Sequence, residues 1–191
     1  MKFVDYKRLV ASDLHRISGN SRAKTFIRHF ILIPEFKYLF WMRTCKYLSS
    51  TPVLNKSLLF IAELILRHYG IKYGIGIPYQ TEIGSGFYLA HYGCIVVSIN
   101  AVIGKNCNLS NGVTLGKANR GKRQGFPVIG DNVYIGPGAK IIGAVQVGDN
   151  VAVGANCVVT EDVPANAVVV GIPGRVISYN GSEGYINRVD Y

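Results

Sequence analysis

A chain of 191 residues with 49% hydrophobic content can bury one sizeable core but is too short for several large domains. Its formal charge of +10 is unevenly spread: residues 1–72 carry 13 Lys and Arg against 4 Asp and Glu, and the remainder carries 8 against 7. The cysteines Cys45, Cys94, Cys107 and Cys157 are widely spaced with no CxxC pair, which argues against a zinc knuckle or a disulfide framework and predicts a reducing compartment.

The first residues run through Lys2, Asp5, Lys7 and Arg8 without the apolar core of a secretory signal, so a cytoplasmic location is expected. Apolar periodicity predicts helices over 5–17, over 24–47 with an interruption at Pro34, and over 57–69, with Gly19, Ser49, Ser50 and Pro52 marking breaks. His29, Glu35, Lys37, Arg43 and Lys46 interrupt the second segment, so no apolar run reaches the ~20 residues a spanning helix requires. These basic, aromatic stripes suit packing on one another and on a partner subunit, or peripheral contact with anionic lipid headgroups at the inner face of a membrane. No nucleic-acid-binding motif accompanies the charge, and nucleic acid is not an expected partner.

From Ile77 the texture changes to Gly, small residues and β-branched aliphatics, and a six-residue repeat appears. Aliphatic residues recur at Ile77, Ile83 and Leu89; a two-residue offset around 95–100 resets the phase, and the series resumes at Val97, Ile103, Leu109 and Leu115. After an interruption over 117–127 it continues through Ile129, Ile135, Ile141, Val147, Val153 and Val159. A period of six fits neither a 3.6-residue helix nor plain strand alternation, but it fits flat strands joined by tight turns, three to each coil of a triangular prism. The aliphatic residue then points inward, and small residues four positions later, such as Ala139, Val145, Val151 and Cys157, fit the corner beside it.

The stretch Ile83-Gly-Ser-Gly-Phe-Tyr-Leu-Ala-His91-Tyr-Gly-Cys-Ile-Val-Val, followed by Ala101-Val-Ile-Gly and Gly112-Val-Thr-Leu-Gly116, resembles the core of serine acetyltransferases and their relatives. The closing Val169-Val-Gly-Ile-Pro-Gly-Arg175 resembles the end of the coil across hexapeptide acyltransferases. With the helices predicted above, the chain divides into a helical region over 1–72, a β-helix over 73–177 with an excursion loop at 117–127, and a tail over 178–191. The resemblance, which covers roughly 77–177, implies that the repeat is a left-handed parallel β-helix, so the expected fold is mainly β with an α-helical region before it. It also implies a homotrimer, acetyl-CoA as donor and no metal.

Acetyl transfer from a thioester to a hydroxyl needs a base, and histidine suits that task near neutral pH. His91 is the one histidine inside the repeat region and stands where the family has its catalytic histidine. The family aspartate that orients this histidine aligns with Gly76, leaving Glu82 or an acid of the N-terminal region as candidate substitutes. A second family histidine, on the acceptor side, aligns with Phe126; with Tyr92 and Arg120 it completes the candidate acceptor residues. The loop Lys117-Ala-Asn-Arg120-Gly-Lys-Arg123-Gln-Gly-Phe-Pro127 is read either as solvated or as attracting an anionic acceptor or CoA phosphates. For CoA the resemblance offers Gly116, Lys117, Gly136, Ala155, Thr160 and Arg175.

A free serine acceptor demands partners for its carboxylate and ammonium, and Gly76 and Phe126 supply neither. The expected function is therefore O-acetylation of a sugar hydroxyl in surface-polysaccharide biosynthesis, with serine O-acetylation as the alternative. A lyase of the γ-carbonic anhydrase type needs three histidines on zinc, whereas His15, His29 and His68 all precede the coil. A non-catalytic scaffold is the remaining reading.

Overall fold

The computed structural model describes residues 1–50 and 56–191, so the break expected at Pro52 lies outside the described residues. Four helices come first among these: α1 (Phe3–Ser18), α2 (Ala23–Leu32), α3 (Pro34–Ser49) and α4 (Lys56–Tyr73). Gly19 closes α1 in a left-handed conformation, φ 79°, with its N–H on the His15 carbonyl. Pro34 opens α3 and holds Ile33 extended at φ −107°, ψ 107°, which ends α2.

Short strands follow in chain order: β1 (Ile75–Gly76), β2 (Glu82–Ile83), β3 (Tyr88–Leu89), β4 (Ile95–Val97), β5 (Val102–Ile103), β6 (Asn108–Leu109), β7 (Thr114–Gly116), β8 (Val128–Ile129), β9 (Tyr134–Ile135), β10 (Lys140–Ile142), β11 (Gln146–Val147), β12 (Ala152–Val153), β13 (Val158–Val159), β14 (Val168–Val170) and β15 (Arg175–Ser178). They stack into three faces of a prism. The first face is β1-β4-β7-β10-β13, the second β2-β5-β8-β11, and the third β3-β6-β9-β12-β14, which β15 extends antiparallel. All pairings before β15 are parallel.

Register explains the irregularities in the repeat. Ile141 pairs with Val159, 18 positions on, the length of three repeats. Leu115 pairs with Ile141, 26 on, because the 117–127 excursion is interposed. Ile75 pairs with Ile95 and Leu89 with Leu109, both 20 on, whereas Val97 pairs with Leu115 only 18 on. The two extra residues therefore lie in the corner 90–94, not in the 95–100 stretch where the sequence pattern first reveals them. A corner can absorb an insertion, whereas strand register fixes which side chains face inward.

The interior is one column of aliphatic side chains per face. Val97, Leu115, Ile141 and Val159 line the first, Ile103, Ile129 and Val147 the second, and Leu89, Leu109, Ile135, Val153 and Val169 the third, all at most 3% exposed. Each such side chain contributes roughly 1.5–3 kcal/mol through burial. Tyr38, Leu39, Met42 and Cys45 of α3, with Ala62 and Leu66 of α4, belong to the same cluster, so helices and prism share a core. Burial pushes the thiols of Cys45 and Cys107 up to about 12, so both are packed as neutral side chains.

Candidate active site

The three faces meet at three unlike edges. Between the third and first faces run the corners at 90–94, 110–113, 136–139 and 154–157, and this edge carries His91. Its backbone is a ladder in which Gly112 N–H donates to Gly93 O, Gly138 N–H to Asn111 O and Asn156 N–H to Pro137 O, at 2.8–2.9 Å. The enlarged corner turns through Gly93 (φ 109°) and Cys94 (φ 54°), with open space where a Gly93 side chain would stand. His91 is exposed there, and its imidazole has no hydrogen-bond partner among the described residues. Gly136 and Ala155 share this edge two and three coils further on, and Lys140 folds its amine back onto the Gly112 carbonyl.

Beside His91 stands a row of aromatic rings. Tyr92, 51% exposed, lies 5.7 Å from Tyr73, which stacks on Tyr69 at 5.5 Å and 9°. Lys72 lies over the Tyr73 ring and Lys37 over Tyr69, at 5.8 and 5.5 Å. Gly76, on β1 opposite Val96, puts no side chain beside this corner. It lines an apolar groove with Tyr38, Leu66, Ile71, Ile77 and Pro78. Glu82 lies on the second face, paired with Val102, so the structure does not bring that carboxylate to His91.

The edge between the first and second faces carries the 117–127 excursion. Ala118 and Gly125 pair across its stem. Arg123 accepts from Ala144 N–H at 2.9 Å and reaches Asp162 at 2.7 Å. The Gln146 N–H and the Arg123 guanidinium hold the Asp162 carboxyl below the usual carboxylate range. Lys117 sits over the Phe126 ring at 5.6 Å, while Arg120 and Lys122 at the tip are exposed. Gly116, Lys117 and Thr160 belong to this edge, and Arg175 shares a cleft with Thr160, Glu161 and Asp162.

The sequence-derived residues thus form two groups. His91, Tyr92, Gly136 and Ala155 lie on one margin of the first face; Gly116, Lys117, Arg120, Phe126 and Thr160 lie on the other, with Arg175 beside Thr160. Three or four residues of extended chain at ~3.3 Å each separate the margins by roughly 10–13 Å. The loop is fastened toward Ala144 and Asp162, away from the coil of His91. Among the described residues no group of three or more His, Cys, Asp or Glu side chains is placed to hold a metal.

Sequence reasoning missed the third edge, between the second and third faces. Asn106, Asn132, Asn150 and Asn166 all take φ of 56–62° there, and their amides form a ladder with spacings of 2.9–3.2 Å. Asn tolerates that left-handed corner, and its recurrence was the available signal. Arg43 of α3, 2% exposed, forks onto Asp13 of α1 at 2.8 and 3.1 Å and donates to the carbonyls of Ile83 and Gly84.

A sequence profile described as bacterial transferase hexapeptide (six repeats) matches residues 126–161. The serine acetyltransferase of Synechococcus elongatus is 32% identical over 178 residues, which cover 92% of this chain and 70% of that protein. The Neisseria gonorrhoeae serine acetyltransferase solved in complex with serine superposes with a TM-score of 0.75 at 28% identity, covering 92% of this chain and 70% of the other. A serine acetyltransferase solved in complex with CoA gives 0.73 at 26% identity, covering 92% and 71%. With these likenesses, the stacked coils are the left-handed hexapeptide β-helix.

Proposed function

Since the chain belongs to the hexapeptide-repeat transferase family that includes the serine acetyltransferases, we propose that it is an acetyl-CoA-dependent O-acetyltransferase with His91 as general base. The observation that carries this reading is a lone, exposed imidazole at the one corner that two extra residues enlarge. The imidazole takes the proton of the acceptor hydroxyl as its oxygen attacks the thioester carbonyl carbon, and returns it to the departing CoA sulfur. Ala155, exposed on the same edge, leaves room for a slim pantetheine arm, whereas Gly136 is buried and its missing Cβ lets the next coil's backbone pack close.

His91 and the excursion loop stand on opposite margins of the first face, and the loop is fastened away from the His91 coil. A neighbouring prism whose loop edge lies against this His91 edge brings them together, and threefold symmetry gives three equal sites, so we propose a homotrimer. Lys117, Arg120, Phe126, Thr160 and Arg175 then act toward the neighbour's His91.

For the acceptor, the relatives favour L-serine over the sugar hydroxyl expected from the sequence. A saccharide hydroxyl remains the second reading because Gly76 and Phe126 provide no charged partner and the exposed row Tyr92-Tyr73-Tyr69 provides a stacking surface. Release of CoA thiol should be measured with L-serine and with free and nucleotide-linked sugars. Turnover of L-serine supports the first reading, and turnover of a sugar with serine inert replaces it by the second. Full activity of His91→Ala with every acceptor overturns the assignment of the base.

No helix among the described residues is long and apolar enough to cross a membrane. Peripheral contact through the basic helices remains a proposal, tested by sedimentation with anionic vesicles.

A further inference from the structure

The coil that carries His91 is the first of the prism and has no coil above it. Its backbone groups on the asparagine edge are taken by helical side chains instead. Arg43 binds the carbonyls of Ile83 and Gly84, Ser12 Oγ accepts from Gly86 N–H, and Asp13 accepts from Phe87 N–H, at 2.6–2.9 Å. Arg16, 2% exposed, donates to the carbonyls of Gly86 and Asn106 and to Asn108 Oδ1 at 3.2, 3.0 and 2.6 Å. Phe87 directly precedes β3, and β3 ends two residues before His91.

Residues 179–191 hold this arrangement from outside. After β15 the chain turns back along the asparagine edge. Buried Ser182 donates to Asn132 O at 2.6 Å and Tyr185 stacks on Tyr134 at 4.2 Å. Asn108 then links strap and helix, because its Nδ2 donates to Tyr185 O at 2.9 Å while its Oδ1 accepts from Arg16. Further on, Arg188 donates to the Ile17 carbonyl and Asp190 pairs with His15 at 3.2 Å. Tyr191 OH donates to Asn106 Oδ1 at 2.6 Å and lies 3.0 Å from Ser85 Oγ. Gly86, at φ 68°, is walled in by these groups: a Cβ there would stand 2.5 Å from Asn106 Oδ1 and 2.6 Å from Tyr191 OH.

We infer that the 179–191 strap, acting through Arg16 and Tyr191 as positioning residues, fixes the strand that presents His91. The inference goes beyond the acetyltransfer reading and does not depend on the acceptor. Released from the strap, α1 keeps its bonds to Arg43 and Arg16 keeps its own, but Asn108 loses Tyr185 O, which orients it toward Arg16, and Asn106 and Gly86 lose Tyr191. Loosening then concentrates in the first coil, because the strands of the second and third coils each have parallel neighbours on both sides.

The test compares the full chain with the double variant Arg188→Ala/Tyr191→Ala. Amide exchange over 84–91 and α1 should accelerate about tenfold, as expected for losing one or two net hydrogen bonds, while 128–159 stays unchanged. The His91 imidazole resonance should broaden, a signature independent of any acceptor. With whichever acceptor proves active, kcat should fall while KM for acetyl-CoA holds. Should the double variant fail to fold, Tyr191→Phe removes only the hydroxyl and should give the same pattern at about 2- to 5-fold. Uniform acceleration over all coils overturns the inference, as does acceleration confined to 179–191 with the His91 resonance unchanged.

Discussion

The histidine edge and the asparagine edge are built by the same six-residue repeat around the same aliphatic columns, yet they differ in almost everything outside the core. Along the asparagine edge, side-chain amides interlock, two helices replace the missing coil, and a strap covers the outside. Along the histidine edge the first corner is longer by two residues, the space beside Gly93 is open, and His91 has no partner among the described residues. Rigidity on one edge therefore leaves the other free to present an unpaired imidazole.

The sharpest way to break this contrast is to remove one key residue from each edge. His91→Ala should lower kcat on the order of 10²–10⁴-fold with no change in thermal unfolding, since its side chain supports nothing else. Asp13→Ala acts first on stability: it strands buried Arg43 and should cost about 3–5 kcal/mol in denaturant unfolding. Activity lost without stability in the second variant, or stability lost in the first, would dissolve the division of labour.

Two glycines sharpen it further. Gly86→Ala meets both a left-handed φ of 68° and atoms within 2.6 Å, and should cost well over the ~1–2 kcal/mol of the backbone conformation alone. Gly93→Ala on the histidine edge, at φ 109° with nothing within 4 Å, should cost about that backbone share, read as a smaller drop in the unfolding midpoint.

The smallest effect concerns the loop edge. Asp162 has its carboxyl lowered by the Gln146 N–H and Arg123, so its contribution is present above ordinary carboxylate values and lost as pH falls through the lowered one. The pair is half exposed, so Arg123→Ala should cost at most about 1 kcal/mol, and amide exchange of 118–125 should rise in wild type only below about pH 4.

Much of this was legible beforehand. The aliphatic hexad located the inward columns from Ile77 to Val159, and the break at 117–127 located the excursion loop. The residues that complete the first coil were not legible. Asp13 follows Val10 and precedes Leu14 on the apolar stripe of α1, and Arg43 stands among Phe36, Leu39 and Met42 on α3, all buried. Charges on an apolar stripe were the signal, but their partners lie 30 to 74 positions away. The strap carried no repeat and no pattern, and its contacts with α1 span more than 170 positions.

The sequence alone determined the prism, because a six-residue hydrophobic period can be buried only by coiling three short strands per turn. It also singled out His91 as the candidate base. Only the tertiary structure decided which residues share an edge. That placement separates the loop from His91 across a face, puts Glu82 out of reach and turns 179–191 back onto α1. Side-chain periodicity records which residues face inward, but it leaves unrecorded which distant segments meet outside, since those meetings depend on bonds between groups with no periodic relation.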